Sequence, residues 1–253
     1  MNQQNVLVTA GASGIGYATV KRFLEAGARV AVCDIDQQKL DEVKGLHPQV
    51  ITALVDVGNS QAIRAFVGDV VENLGGIDVV VNNAGIAGPT AAIEDIADDE
   101  WLPSFSVNIH SVFYMLREVV PLMKARGGGA IINISTGSTF TVPLNRSPYI
   151  ASKWAVEGLT RAAARELGPA NIRVNAIRPG IVDGERMRRV LTKIAVAQGT
   201  TVEALEAEAL GYISMRTKIQ PEEIGDMAVF LASAKAAHIS GQMISVDGNM
   251  EWE

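Results

Sequence analysis

Val6-Leu7-Val8-Thr9-Ala10-Gly11-Ala12-Ser13-Gly14-Ile15-Gly16 is the stretch on which the fold turns. An apolar, β-branched run passes into small residues, and from Ile15 to Glu25 the apolar positions recur at helical spacing. That order reads as strand, tight turn and helix. The turn through Gly11, Ser13, Gly14, Ile15 and Gly16 lets backbone come close to a phosphate. The helix behind it offers unpaired N–H groups and the positive end of its dipole to the anion. Asp34 closes the next apolar run, 18 residues beyond Gly16. A carboxylate there accepts hydrogen bonds from both hydroxyls of an adenosine ribose and repels a 2′-phosphate, which selects NAD over NADP. The alternative is that Asp34 caps the following helix, a place for which Asp36 also competes.

Outward from this turn the chain keeps the same rhythm. Apolar runs at Val6–Val8, Val30–Val32, Val50–Val55, Ile77–Val81, Ala130–Ile134, Ile172–Ile177 and Met243–Val246 alternate with helical patterns such as Ser60–Leu74, Trp101–Ala125, Tyr149–Leu167 and Pro221–Ala232. Strands apolar on both faces belong to a parallel sheet covered by helices on both sides. The expected fold is α/β, a Rossmann fold with a doubly wound parallel sheet of about seven strands, in one domain over residues 1–253. Residues 183–214 break the rhythm with a long helix-rich insertion between two late strands. Thr200 with Glu203 reads as a capping box opening a helix through Leu210, which Gly211 stops. Open α/β sheets bind ligands at the carboxyl ends of their strands, and the insertion would overhang them. It is therefore expected to be a substrate lid rather than a plain surface excursion.

Bulk composition narrows the classes. A formal net charge of −6 and no Lys/Arg-rich run give nucleic acid or an anionic membrane little to attract. No apolar run reaches the roughly 18 residues of a membrane helix. The N-terminus has no basic segment followed by a long apolar core, so no signal peptide is expected and the location is expected to be cytoplasmic. The single cysteine, Cys33, cannot form an internal disulfide and reads as a packed core thiol. His47, His110 and His238 are scattered without ligand spacing, so no metal is expected.

Tyr149-Ile150-Ala151-Ser152-Lys153 carries the chemistry. It opens a helix just behind Pro148, and a spacing of four puts Tyr149 and Lys153 on one face, a turn apart. An ordinary tyrosine, with a pKa of about 10, is a poor base at neutral pH. A nearby ammonium group and a positively charged nicotinamide ring both favour phenolate. On its own the pair is weak, because Tyr and Lys meet at this spacing on many helices.

In its context the pair resembles the short-chain dehydrogenase/reductase family, and the resemblance runs from Val6 to about Gly248. Asn82-Asn83-Ala84-Gly85 matches the family's stretch after the fourth strand, beside the cofactor. Asp56-Val57 resembles the pair that holds the adenine ring, and Pro179-Gly180 the turn after the sixth strand near the nicotinamide. The resemblance implies that Tyr149 is the acid/base, that Lys153 holds the cofactor ribose, and that Asn108 passes protons onward through water. It also implies a homotetramer or homodimer through the helices at Trp101–Ala125 and Tyr149–Gly168, and a tail at residues 246–252 that packs on a neighbouring subunit. The family's substrate-polarising serine lies thirteen positions before the tyrosine, where this chain has Thr136. Threonine keeps the donor, and Ser135 and Ser138 flank it as alternatives.

Two further departures stand out. Ala10 occupies the usual first glycine of the turn, which leaves Gly11 to absorb the tight bend. Gly184 replaces a threonine that helps hold the carboxamide, which leaves the backbone at Ile181 and Val182 to compensate. Arg186, Arg188 and Arg189 on the lid, and Arg146 before Tyr149, are candidates for an anionic substrate group. The leading expectation is an NAD-dependent oxidoreductase acting on a small-molecule secondary alcohol or ketone, of a sugar, sugar acid or hydroxy acid. The alternatives are an NADPH-dependent 3-oxoacyl thioester reductase, against which Asp34 and the uncharged Ser13 count, and a non-catalytic NAD(H)-binding regulator.

Overall fold

The computed structural model describes residues 3–250, apart from the side chains at 186, 193 and 197. Seven strands form the sheet: β1 (Asn5–Thr9), β2 (Arg29–Asp34), β3 (Ile51–Leu54), β4 (Val79–Asn82), β5 (Gly129–Ile134), β6 (Ile172–Pro179) and β7 (Met243–Val246). Their order is β3-β2-β1-β4-β5-β6-β7 and every pairing is parallel. The winding reverses between β1 and β4, so the crevice at that switch point lies above the glycine-rich turn. The expected doubly wound parallel sheet is what the chain forms.

Ten helices connect and cover these strands: α1 (Gly14–Glu25), α2 (Gln37–Leu46), α3 (Ser60–Leu74), α4 (Asp98–Phe105), α5 (Ser111–Arg126), α6 (Ser138–Thr141), α7 (Ser147–Leu167), α8 (Glu185–Gln198), α9 (Val202–Gly211) and α10 (Pro221–Ala232). Neighbouring strand residues point to opposite faces, so β5 feeds two cores. Ile131 packs with Phe66, Met115 and Val156 under α3, α5 and α7. Ile132 packs with Val20, Phe23 and Leu231 under α1 and α10. Among the described residues no helix is long and apolar enough to cross a membrane.

Three local expectations are corrected. The helix expected over Trp101–Ala125 is α4 and α5 joined through a π-helical turn at Ser106–His110. Such a turn adds a residue to the helical circuit and re-aims side chains, and it turns Asn108 fully inward. The cap of α9 is Thr201 rather than Thr200: Thr201 is extended and its Oγ1 accepts from the Ala204 N–H at 3.2 Å. The Thr200 N–H closes the end of α8 on the Ala195 carbonyl, so Glu203 has no capping-box partner. Gly211 lies inside α9 rather than stopping it.

The glycine-rich turn also differs from expectation. Ala10 itself takes the left-handed conformation, at φ +49°, which costs an alanine roughly 1 kcal/mol over glycine. Gly11 does not absorb the bend; it is needed because a Cβ there would stand 2.9 Å from Val32 on β2. Gly184 sits at φ 153°, ψ 174°, a region open essentially to glycine alone, so the threonine of many relatives does not suit this path into α8.

Candidate active site

The turn after β1 folds back on itself and on β4. A Cβ at Gly16 would fall 2.1 Å from the Ala10 carbonyl oxygen and 2.6 Å from Asn83 Nδ2, so the closeness of helix and turn depends on glycine. Asn83 holds the turn by donating from Nδ2 to the carbonyls of Thr9 and Ala10, both at 3.0 Å. Thr9 Oγ1 in return accepts from the backbone of Asn83 and Ala84. The α1 N-terminus beyond Ser13 is thereby presented to the crevice as an open anion cradle.

Asp34 stands at the end of β2 beside this cradle. Its Oδ2 accepts from the Ala12 N–H at 3.1 Å and its Oδ1 from the Ile35 N–H at 2.8 Å. The cap of α2 is Asp36, which accepts from the Lys39 N–H. Asp34 is thus a carboxylate anchored to the turn rather than a helix cap. Asp56 accepts from the Gly58 N–H at the end of β3, and Val57 is buried beside it. The residues at the crevice match what an adenosine dinucleotide needs: a glycine-walled anion cradle and a fixed acceptor for ribose hydroxyls.

Tyr149 and Lys153 lie on the first turns of α7, which carries Pro148 in its first turn at a position where its missing N–H costs nothing. Lys153 is only 4% exposed, and its ammonium donates to the Ile134 carbonyl at 2.7 Å, at the carboxyl end of β5. Asn108 is fully buried: its Oδ1 accepts from the Ile86 N–H at 2.8 Å, and its Nδ2 donates to the Ile86 carbonyl and to Ser152 Oγ. Ser152 Oγ donates to the Tyr149 carbonyl at 2.8 Å, which ties Asn108 to the turn that carries Tyr149. A Cβ at Gly85 would stand 3.2 Å from Lys153 Nζ and 3.3 Å from Asn108 Oδ1, so that glycine leaves room where the two meet. The Arg146 guanidinium covers the ring of Tyr149, 4.9 Å from its centroid, and donates to the Ala87 carbonyl.

Of the three hydroxyls considered for polarising substrate, the geometry separates one. Ser135 Oγ donates to Glu157 at 2.7 Å in the interior. Thr136 and Ser138 both line a cavity of about 200 Å³ together with Thr141, Pro179, Gly180, Ile181, Ala209, Tyr212 and Met250. Thr136 Oγ1 accepts from the Ser138 N–H at 3.2 Å, which leaves its own proton for another acceptor.

Glu157 is a site residue that sequence reasoning missed. It is 2% exposed on α7, two turns beyond Tyr149, and accepts from Ser135, from Thr139 and from Arg178 Nε and Nη2. Burial acts to raise its pKa, but those hydrogen bonds and the Arg178 charge outweigh it and hold the carboxyl below its ordinary value. Arg178 in turn is raised by Glu157. Thr139 also donates to the Thr136 carbonyl, and Arg178 precedes Pro179-Gly180 in the chain. This one carboxylate therefore braces both walls of the cavity. The signal in the sequence was a charged residue among apolar ones on the face that carries Lys153.

The β6 end is stitched to its neighbours by Gly137 N–H to the Pro179 carbonyl and Gly180 N–H to the Val246 carbonyl. Val182 bridges to Ile219 through the Ile181 carbonyl and Asp183 N–H, so its own peptide faces away from that bridge. The return leg of the excursion, Ser214 and Met215, bonds the backbone of Asn249 and Gly248 in the same chain. The rest of the tail expected to meet a neighbouring subunit, residues 251–252, lies outside the described residues, as does the Arg186 side chain. Arg188 and Arg189 are exposed. Cys33 is fully buried, its thiol pushed up to about 12 by that burial. Among the described residues no three His, Cys, Asp or Glu side chains gather as a metal site.

Four known relatives or families resemble this chain. Residues 9–251 match the family model described as Enoyl-(Acyl carrier protein) reductase. The probable galactose dehydrogenase GalD of Rhizobium meliloti is 36% identical over 99% of this chain and 96% of its own length. The 3beta-hydroxysteroid dehydrogenase 2 of Eggerthella lenta is 36% identical over 97% of this chain and 94% of its own. A solved structure of an actinorhodin polyketide ketoreductase variant with NADPH superposes with a TM-score of 0.94 at 31% identity, covering 98% of this chain and 97% of that one.

Proposed function

Because the chain belongs to the short-chain dehydrogenase/reductase family, whose members bind a nicotinamide cofactor, we propose that it is an NAD(H)-dependent oxidoreductase interconverting a secondary alcohol and a ketone. The observation that carries the NAD part is Asp34: a carboxylate held by the Ala12 and Ile35 amides beside the phosphate cradle, where a 2′-phosphate would meet its charge. The solved relative with NADPH bound does not decide the matter, because its cofactor is a property of that protein. Nor do the relatives choose the substrate, since their names run from a sugar to a steroid.

Bound in the crevice, the nicotinamide supplies the two-electron acceptor. Gly11, Ser13, Gly14, Ile15 and Gly16 would hold its diphosphate, and Asp34 the adenosine ribose. Asp56 and Val57 would flank the adenine, and Asn83, Ala84, Gly85, Pro179, Gly180 and Val182 would line the rest. Tyr149 takes the proton from the substrate hydroxyl in oxidation and returns it in reduction. Lys153 holds the nearby ribose and sets a positive charge beside the phenol. Thr136 donates to the substrate oxygen. Asn108 keeps the turn at Ile86 and Ser152 in register with Tyr149, and passes protons onward through water. Residues 183–214 act as a lid over one domain. The half-exposed Phe113 and Trp154 on α5 and α7 favour a homo-oligomer through that face. A cytoplasmic location belongs to the same reading.

The test is separate titration with NADH and NADPH, followed by nicotinamide fluorescence. Tighter NADH binding is expected. Equal or tighter NADPH binding overturns the role of Asp34 and moves a 3-oxoacyl thioester reductase to first place.

A further inference from the structure

The walls around the cavity carry little charge. From Ala130 to Asn145 the sequence has no Asp, Glu, Lys or Arg, and none occurs from Asn82 to Ile93. These two stretches meet where the Ala91 N–H donates to the Asn145 carbonyl. None of the residues lining the cavity is charged; one wall is a row of hydroxyls, Thr136, Ser138 and Thr141, and the rest is apolar apart from Tyr212. Three arginines in adjoining segments are engaged elsewhere: Arg146 over Tyr149, Arg178 on Glu157, and Arg216 on the carbonyls that end α9.

Large apolar side chains stand in solvent in the segments that adjoin the cavity lining. Phe140 is 66% exposed, Val142 56% and Leu144 88%, immediately beyond the cavity-lining Thr141. Met215 is 69% exposed and lies beside Gly248, next to the tail that brings Met250 into the cavity. Val142 is held at φ +45°, a left-handed conformation that a β-branched residue adopts only where its surroundings impose it. A strained, uncharged loop that keeps three apolar side chains out of the core fits a binding surface better than accidental exposure.

We propose that the substrate is an uncharged secondary alcohol or ketone with an apolar body too large for the cavity, lying across Phe140, Val142 and Leu144 while its reacting oxygen sits at Thr136. This deepens, and rests on, the reading of the site as an alcohol/ketone oxidoreductase. It departs from the expectation of a sugar, sugar acid or hydroxy acid. A cavity of about 200 Å³ is smaller than typical ligand sites of roughly 300–1,000 Å³, so an enclosed head and an external body follow from its size. The hydroxyl row can serve one oxygen, and the exposed side chains of Phe140, Val142 and Leu144 are apolar and offer no hydrogen bond to the further hydroxyls of a sugar or to a carboxylate.

The test compares NAD-linked oxidation of four alcohols by the full chain: the secondary alcohols of butane and decane, D-galactose and D-gluconate. The decane alcohol is expected to exceed each of the others at least about tenfold in kcat/KM. Leu144→Ser and Phe140→Ser should each reduce the decane-to-butane ratio of kcat/KM severalfold. Greater activity on galactose or gluconate, or an unchanged ratio in both variants, overturns the inference and leaves the oxidoreductase reading standing. If none is oxidised although NADH binds, the alcohol/ketone reading fails, and the decane ketone is titrated into the enzyme–NADH complex. Saturable change in NADH fluorescence, weakened in Leu144→Ser, upholds the apolar site, and no change removes it.

Discussion

The inner wall of the site and the helical excursion above it are held in opposite ways. On the wall, Asn108, Lys153 and Glu157 are at most 4% exposed, and each is bonded to another strand or helix. In the excursion, α9 buries no side chain, and among the described residues of α8 only Ala195 is buried. The excursion is attached at its edges: by Lys218 bridging Asp183 and Glu206, and by residues 214–215 on 248–249. A wall built from satisfied buried polar groups keeps reacting atoms in place. An element with little buried apolar surface belongs to the low-stability end of a fold, from which lids are drawn. On the proposed function, chemistry and access fall to differently stabilised parts.

The largest effect should come from the wall. Tyr149→Phe removes one hydroxyl and keeps the ring under Arg146. Turnover should fall about a thousandfold, within the range for loss of a general acid/base, while NADH binding persists in a fluorescence titration. Residual turnover within a few-fold of the parent would mean that another group moves the proton.

Glu157→Gln breaks the wall behind the reacting atoms. It leaves Arg178 without its charge partner in a largely buried setting, which costs about 3 kcal/mol by the precedent of broken buried pairs. Urea unfolding would read this as a lower midpoint at unchanged slope. The sign in pH follows from the depressed carboxyl. Its stabilisation is fully present above the unfolded value and is lost as pH falls through the folded one. The parent should therefore lose its advantage over Glu157→Gln only below the ordinary glutamate value of about 4.3. A difference between the two proteins that stays constant in acid contradicts the pairing.

The same contrast explains what could be read in advance. Strand–helix alternation, the turn at Gly11–Gly16 and the Tyr149/Lys153 pair were legible because each is local, a matter of period or short spacing. The brace at Glu157 was not, because it joins residues 135, 139, 157 and 178, which only the folded sheet brings together. The π-helical turn at Asn108 escaped because the apolar pattern of Trp101–Ala125 continues across it. Thr200 and Thr201 differ by one position, and the choice between them lay with how α8 ends. The apolar rim was visible as Phe140, Val142 and Leu144, but sequence alone does not say which apolar residues stay outside the core.

Asp34 lies between the two regimes, anchored by backbone yet open to a ligand. Asp34→Ser keeps an acceptor and removes the charge. NADH should bind about tenfold more weakly, equivalent to about 1.4 kcal/mol, and NADPH more tightly than in the parent. If NADPH binding does not improve, the carboxylate is not what excludes the 2′-phosphate.

The smallest effect belongs to the lid, and its size is the point. Lys218 reaches Glu206 on α9 at 2.6 Å and Asp183 at 3.2 Å, and each of the three side chains is about a quarter to a third exposed. Ion pairs so open to water contribute under about 1 kcal/mol and weaken as salt screens them. Lys218→Met should therefore barely move the unfolding midpoint. It should instead raise KM a few-fold at low ionic strength, with the difference from the parent shrinking in about 1 M salt. Hydrogen bonds donated to Glu206 and Asp183 raise the Lys218 pKa, so the clasp is intact below the ordinary lysine value of about 10.4 and is lost only as pH climbs through the raised one. Near neutral pH the lid should respond to salt and not to pH. A variant that unfolds several kcal/mol more easily would show that the excursion is part of the core rather than a cover on it, and the division between wall and lid would not hold.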